Sequence, residues 1–388
     1  MVKKAIVKLN KNKMKILVAP DKFKGSLSAQ EVCDAIEKGI KKHDSTIEVI
    51  KHPLADGGEG TIEILRYYFP LKQVVLEVQN PLFKSIKSSY FVSKDTAYIE
   101  MSNASGLQLL EKKDQNCYYT STIGIGQLIK DAISKGFKNI NLFIGGSATN
   151  DAGIGMATAL GYHFFDSNEN LLKPIGKELI NISKIDSSSL FFDLSNINFT
   201  VICDVKNPLF GENGAAYIYA SQKGASKKEV ELLDEGLQNF SVQVQNYLNI
   251  YVADIEGSGA AGGLGAGAVA FLNAKIQSGI EFVLDQTNFN NQINKGIDLI
   301  ITGEGSVDKQ TLQGKVVKGI SNISKKYNVP FYIVSGIVKD KNLVVEALSP
   351  LGISSIMELD VSIDDAMKNA SKYVNAIAND IVRNIKMK

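Results

Sequence analysis

Five short stretches of the chain combine glycine with carboxylate, lysine or hydroxyl side chains, and each follows an apolar run. The first, Asp21-Lys22-Phe23-Lys24-Gly25-Ser26, sets two lysines just ahead of a helix start. Free amide N–H groups and the positive end of a helix dipole suit an anion there. A solvated turn before a capped helix would account for the same residues, since capping explains Ser28 and Glu31. The second, Asp56-Gly57-Gly58-Glu59-Gly60, flanks a flexible backbone with two carboxylates. Such groups hold Mg²⁺ or accept a hydroxyl proton, or else close a tight turn with Asp56 as a helix cap. The third, Gly145-Gly146-Ser147-Ala148-Thr149-Asn150-Asp151-Ala152-Gly153, has the small residues and hydroxyls of a phosphate cradle. It lacks the Gly-Lys-Ser/Thr ending of a Walker loop.

The fourth, Cys203-Asp204-Val205-Lys206-Asn207-Pro208, ends a strand in Asp, Lys and Asn; a β-turn opened by Asn-Pro is the plainer account. The fifth, Thr302-Gly303-Glu304-Gly305-Ser306-Val307-Asp308, again puts carboxylates after a strand, and Gly314-Lys315 follows as the opening of the next helix. A glycine run, Gly257-Ser258-Gly259-Ala260-Ala261-Gly262-Gly263-Leu264-Gly265-Ala266-Gly267, precedes an apolar helix. Leu264 and the alanines distinguish it from a flexible linker and point to close packing or a backbone-lined pocket. His43, His52 and His163 have no metal-ligand spacing and read as surface or packing residues. A Gly-x-Ser-x-Gly nucleophile elbow is absent, so a hydrolase triad has no support.

The elements that must position these stretches alternate between strand and helix, the pattern of an α/β protein. In open α/β sheets, ligands bind outside the carboxyl ends of the strands, so the placement of the five stretches adds to their weight. Residues 14–19 form a short apolar run, as expected of a parallel strand buried on both faces. Ser28 as N-cap, Glu31 three residues on, and Leu27 stapled to Val32 start a helix whose face continues through Ala35, Ile36 and Ile40. A strand at 47–54 and a helix at 61–68 follow. From 71 to 99 the texture changes to alternating stretches with no helical stripe, which read as antiparallel strands. The strand–helix alternation then resumes: helix 127–133, strand 140–144, helix 153–160, strand 199–203 and a long amphipathic helix at 228–248. The segments 298–302, 314–326, 331–334 and 355–358 repeat the first style, and a terminal helix at 363–385 closes the chain. The expected fold is therefore a Rossmann-like, doubly wound parallel-sheet domain from residues 14–80 and 290–388, carrying an inserted mixed α/β domain at 81–289. Residues 1–13 read as an N-terminal extension.

Composition narrows the function classes. The chain has 388 residues, 44% hydrophobic and 22% charged, enough for more than one core. With 43 basic and 41 acidic residues it carries no polyanion footprint, so nucleic acid is not an expected partner. No apolar run approaches the roughly 18–20 residues of a membrane span, and the N-terminus lacks a secretory pattern. Cys33, Cys117 and Cys203 are too few and too scattered for a disulfide framework, which fits a reducing cytoplasm. Arg66 and Arg383 are the only arginines, so phosphate chemistry must rest on lysine, backbone N–H groups and a metal.

Taken in order, the stretches from Ala19-Pro20-Asp21-Lys22-Phe23-Lys24-Gly25-Ser26-Leu27-Ser28, through Ala55-Asp56-Gly57-Gly58-Glu59-Gly60, Gly145-Gly146-Ser147-Ala148-Thr149-Asn150-Asp151, Cys203-Asp204-Val205 with Asn207-Pro208, and Gly262-Gly263-Leu264-Gly265-Ala266-Gly267, to Thr302-Gly303-Glu304-Gly305, resemble the bacterial glycerate kinase family of the two-domain α/β type. The resemblance covers the chain from Met14 onward. Ser306 stands where the family often has Arg, and Ala152 where it often has Gly. The resemblance implies phosphorylation of D-glycerate by ATP with Mg²⁺. It implies Asp204, Asp56, Asp308 and Lys22 as catalytic candidates, with Asp56 and Asp204 also as metal ligands. Asp21, Lys24, Glu59, Glu304 and Asn207 would bind the acid. Gly145, Gly146, Ser147, Thr149, Asn150, Asp151, Gly262, Gly263 and Gly265 would cradle the nucleotide, and the loops would converge on one cleft. Two other readings remain open at this point: an anion sensor that closes over its ligand, and a nicotinamide-dependent hydroxy-acid oxidoreductase. The missing Gly-x-Gly-x-x-Gly after the first strand weighs against the latter.

Overall fold

Ile16, Leu17 and Val18 are all fully buried, which a strand achieves only when both faces of its sheet are covered. The computed structural model describes residues 14–58 and 60–386, and the expected extension at 1–13 and Glu59 lie outside them. Along the chain, β1 is Lys15–Val18, β2 Glu48–Lys51, β3 Lys72–Gln79, β4 Ser85–Ser93, β5 Thr96–Glu100, β6 Asn139–Phe143, β7 His163–Phe165, β8 Lys184–Asp186, β9 Asn198–Ile202 and β10 Lys275–Gln277. There follow β11 Leu299–Thr302, β12 Ser306–Val307, β13 Phe331–Ser335, β14 Ile337–Val338 and β15 Gly352–Ser355. The chain divides into two units: one runs to Tyr68 and resumes at Ser278, the other spans Phe69–Gln277.

The first unit holds a parallel sheet in the order β15-β13-β11-β1-β2. Ile16, Val18, Leu299, Ile301 and Val334 pack against the helices Ala29–His43 and Ala370–Lys386. Leu17, Ile300 and Ile333 alternate to the opposite face and are equally buried. Gly39 lets the two helices meet: a Cβ there would lie 2.2 Å from the Asn375 carbonyl oxygen. The expected cap is present, with Ser28 accepting from Glu31 N–H while the Glu31 carboxylate accepts from Ser28 N–H. The strand order reverses beside β1: β2 lies on one side, β11 and its successors on the other. That reversal is the switch point where open sheets bind ligands.

The second unit has a mixed sheet in the order β10-β9-β6-β5-β4-β3. Strands β3, β4 and β5 are antiparallel as read from the sequence, while β5, β6, β9 and β10 run parallel. Two cores fill this unit, one under the sheet and one around the helix Lys227–Leu248.

Three expectations are corrected. The boundaries fall after Tyr68 and Gln277 rather than after residues 80 and 289. Strand β3 pairs with β4 over its whole length, so it cannot stay with the first unit. The helix Gly279–Gln286 belongs with the first unit, because Gly279 packs so tightly on Asp56 that a Cβ would lie 1.9 Å from its carbonyl oxygen. The glycine run reaches into its helix rather than stopping before it: within Ala260–Leu272, Ala261, Gly262 and Gly263 are left-handed and kink the chain, and the regular helix runs from Leu264. The terminal helix is two, Ile363–Lys368 and Ala370–Lys386, broken at Asn369.

Candidate active site

In the first unit, the loops leaving the carboxyl ends of the parallel strands are stitched together by backbone hydrogen bonds. Asp21 N–H donates to Gly303 O at 2.8 Å, and the Thr302 hydroxyl donates to Ala19 O at 2.7 Å. Ile337 N–H donates to Gly305 O and Met357 N–H to Gly336 O, each at 3.1 Å. The result is a rigid rim around a cavity of about 550 Å³. Asp21, Lys22 and Lys24 reach it from the turn after β1, Asp56 from the turn after β2, Glu304 from the turn after β11 and Ser306 from the start of β12. Lys315, just ahead of the helix Val316–Tyr327, completes the charged wall. A smaller cavity of about 180 Å³ adjoins the same turn, and Asp21 and Lys22 line both. It is also lined by Ser28, Ala29 and Gln30 at the start of the first helix.

Three carboxylates share this small volume, and the electrostatics follow. Burial, then the charge of Asp56, pushes the Asp21 carboxyl up to about 8, with Glu304 adding to the shift and Lys22 opposing it. The Lys22 N–H donates to Asp21 Oδ1 at 2.6 Å and fixes the carboxyl's orientation. Burial likewise raises Glu304 to about 7, against the Val317 N–H that bonds Oε1 at 3.1 Å and the nearby Lys315 charge. Two buried carboxyl groups pushed toward neutrality, at the ends of adjacent strands, make this cavity the candidate place for handling a proton.

In the second unit, Gly145 and Gly146 follow β6 and are exposed, and a Cβ on Gly145 would meet nothing within 4 Å. Beneath this turn lies Lys223, which is buried and donates to Ser147 Oγ at 2.5 Å and Thr149 O at 2.9 Å. Burial lowers the Lys223 ammonium to about 8, although Cys117 and Asp151 favour its charge. Asp151 accepts from Thr122 N–H at 2.7 Å and the Thr122 hydroxyl at 2.8 Å, with the Gly153 and Gly155 amides at 3.3 Å. Burial raises its carboxyl even so. Asp151 thus ties Thr122 to the turn at Gly153 and Gly155, between the starts of two helices. The Thr149 hydroxyl and both polar atoms of Asn150 are buried with no partner among the described residues. An unsatisfied buried amide costs about 1–3 kcal/mol, so this pair fits a polar ligand or water at the turn.

Other expected site residues take structural places. Gly262 and Gly263 sit at φ +72° and +86°, and a Cβ on Gly262 would lie 2.1 Å from Thr149 O. Gly265 presses on Gly257 O, and a Cβ there would sit 2.2 Å away. Backbone lies against Gly262 and Gly265, and the Leu237 side chain against Gly263, where a Cβ would lie 2.9 Å from it. Ala152, at the position where the family often has Gly, adopts φ +49°. Asp308 caps its own turn through Gln310 N–H at 2.8 Å and does not line the cavity. Asn207 is held by the Tyr219 hydroxyl at 2.6 Å and by Asn213 O at 2.8 Å. Asp204 is half-buried after β9, in the second unit, whereas Asp56 is in the first. No group of three or more His, Cys, Asp or Glu among the described residues forms a ready metal cage. Lys315 and Lys223 were not singled out by sequence. For Lys315 a signal existed, since a cation at a helix N-terminus opposes the dipole unless it serves something else.

A parallel sheet with proton-active carboxylates and lysines at its carboxyl edge defines an α/β enzyme acting on small anions. The glycerate kinase family model matches residues 16–386. A glycerate kinase of Bacillus cereus is 40% identical over 370 residues, covering 95% of this chain and 97% of that protein. A glycerate 2-kinase of Escherichia coli is 40% identical over 359 residues, 92% of this chain and 94% of the other. A crystal structure from Salmonella typhimurium LT2, provisionally named glycerate kinase 2, superposes with a TM-score of 0.83 at 38% identity, covering 97% of this chain and 99% of that one. This chain belongs to the glycerate kinase family.

Proposed function

We propose that the chain transfers the γ-phosphoryl group of ATP to a hydroxyl of D-glycerate, with Asp21 accepting the hydroxyl proton. The observation that carries the reading is Asp21 itself. It lines both cavities of the parallel-sheet unit, and its carboxyl is raised to about 8 beside Asp56 and Glu304. General bases work best with a pKa near the working pH. The smaller cavity, with Lys22 and the amides of a helix N-terminus, suits a three-carbon acid and its carboxylate. Lys24 and Lys315 would meet phosphate oxygens. As the acceptor oxygen attacks the γ-phosphorus, its proton passes to Asp21, the bond to the β,γ-bridging oxygen breaks, and ADP leaves. Asp56 would hold Mg²⁺, which would supply positive charge to offset that of the phosphates. Glu304 holds the helix Val316–Tyr327 in register and tunes Asp21 by its charge.

Of the two products open to a glycerate kinase, 2-phosphoglycerate and 3-phosphoglycerate, similarity to a glycerate 2-kinase favours the first. Incubation with Mg-ATP and D-glycerate, read by phosphorus NMR, tests this directly. A 2-phosphoglycerate resonance is expected; 3-phosphoglycerate would overturn the regiochemistry, and unconsumed ATP the reaction itself.

A further inference from the structure

The larger cavity has a second wall that the phosphoryl chemistry leaves unused. Besides the lysines and carboxylates, Ile337, Ile356, Met357, Ile363 and Met367 line it. Ile363 is 63% exposed and Met367 45%, so the rim presents apolar surface to solvent beside a charged floor. D-glycerate carries an oxygen on every carbon and has no apolar face to bury there. A cavity of about 550 Å³ is also the size that takes a drug-sized molecule rather than a three-carbon acid. The wall is preformed, because the backbone bonds at Ile337 and Met357 lock it to the strand-end loops. Met367 is anchored too: the Ser26 hydroxyl donates to its carbonyl at 2.6 Å, and its Cε lies 3.2 Å from where a Gly25 Cβ would be. Thus a flexible thioether overlies the turn that carries Lys24, where a planar ring and a phosphate would have to lie one after the other.

We propose that this apolar wall holds the purine ring of the nucleotide, with the phosphates running toward Lys24 and Lys315. The placement rests on the reading of the chain as an ATP-dependent kinase. Aliphatic and thioether side chains stack on any purine, so discrimination between adenine and guanine is weak. The lysines account for the phosphate end, and the smaller cavity leaves the acid its own seat.

The test is calorimetric titration of ADP and of inorganic tripolyphosphate, each with Mg²⁺, into the wild type, Met367→Ala and Ile363→Ser. Both positions are exposed enough for the variants to fold, which circular dichroism checks. ADP affinity is expected to fall about tenfold in each variant, from loss of the apolar contact. Tripolyphosphate, which has no base, is expected to bind all three proteins within about twofold. Unchanged ADP affinity, or an equal loss for tripolyphosphate, would overturn the placement. Turnover of Mg-ATP and D-glycerate by the wild type separates the two claims. Its absence sinks the kinase reading, whereas normal turnover with unaltered ADP binding in the variants sinks only the purine site.

Discussion

Replacing Asp21 by Asn removes a charge that folding makes costly and a base that turnover needs. In the unfolded chain the carboxyl ionises near its ordinary 3.8; in the fold it does so near 8. Between those values the native state binds the proton more tightly, so wild-type stability falls as pH rises through the window. At 1.36 kcal/mol per pH unit, the span from 3.8 to pH 7 comes to about 4 kcal/mol. Asp21 keeps part of its surface open to the cavity, and water screens that part, so about 2 kcal/mol is the working figure. Asn carries no charge and still accepts from Lys22 N–H. Asp21→Asn is therefore expected to melt about 5 °C above the wild type at pH 7, measured without Mg²⁺ or nucleotide. The gap should close below about pH 4, where both forms are neutral, and be widest at about pH 8. The same variant is expected to lose about 10²–10⁴ in kcat. The paired outcome is what a proton-handling carboxyl requires. A melting difference that does not change with pH would refute the burial argument, and near-normal turnover would remove Asp21 from the base role.

His52, 1% exposed, sits between Tyr68 and Phe289, and its Nε2 lies 2.9 Å from Thr287 Oγ1. The Thr287 hydroxyl already donates to Val283 O, so Nε2 must carry the hydrogen and a second proton would have to charge Nδ1. Burial lowers His52 from 6.5 to about 4, so stability is full above pH 6.5 and is lost as pH falls toward 4, by about 3 kcal/mol. His52→Phe should flatten that acid limb in denaturant melts; an unchanged limb would refute it. Lys223→Met is expected to melt at pH 7 no lower than the wild type, since burial depresses the ammonium to about 8. Marked destabilisation would show instead that its bonds to Ser147 and Thr149 hold that turn together. Gly262→Ala should cost at least about 3 kcal/mol, because a Cβ would lie 2.1 Å from Thr149 O at φ +72°. A melting point matching the wild type would contradict the packing role given to that glycine.

Local chemistry made much of this protein legible from its sequence. The buried run at β1, the Ser28–Glu31 capping box and the alternation from Lys72 to Glu100 are each set by residues a few positions apart. Their physics does not depend on what lies across the fold. The strand-end stretches were visible for the same reason, since glycine and carboxylate after an apolar run mark a loop at the edge of a sheet. Which carboxylates meet was not visible. Asp21, Asp56 and Glu304 are brought together by the order β11-β1-β2, an arrangement of strands distant in the chain, while Asp308 turns back to cap its own loop. The shared burial that moves two of those carboxyls toward neutrality exists only once the strands are paired. The glycines of the 257–267 run looked like a cradle, but their partners, Thr149 and Gly257, are backbone groups whose approach no local pattern encodes. Lys223 and Met367 carried no signal, because a buried cation and an apolar wall acquire meaning from what packs around them. Spacing along the chain decided the elements; proximity across it decided which side chains act on one another.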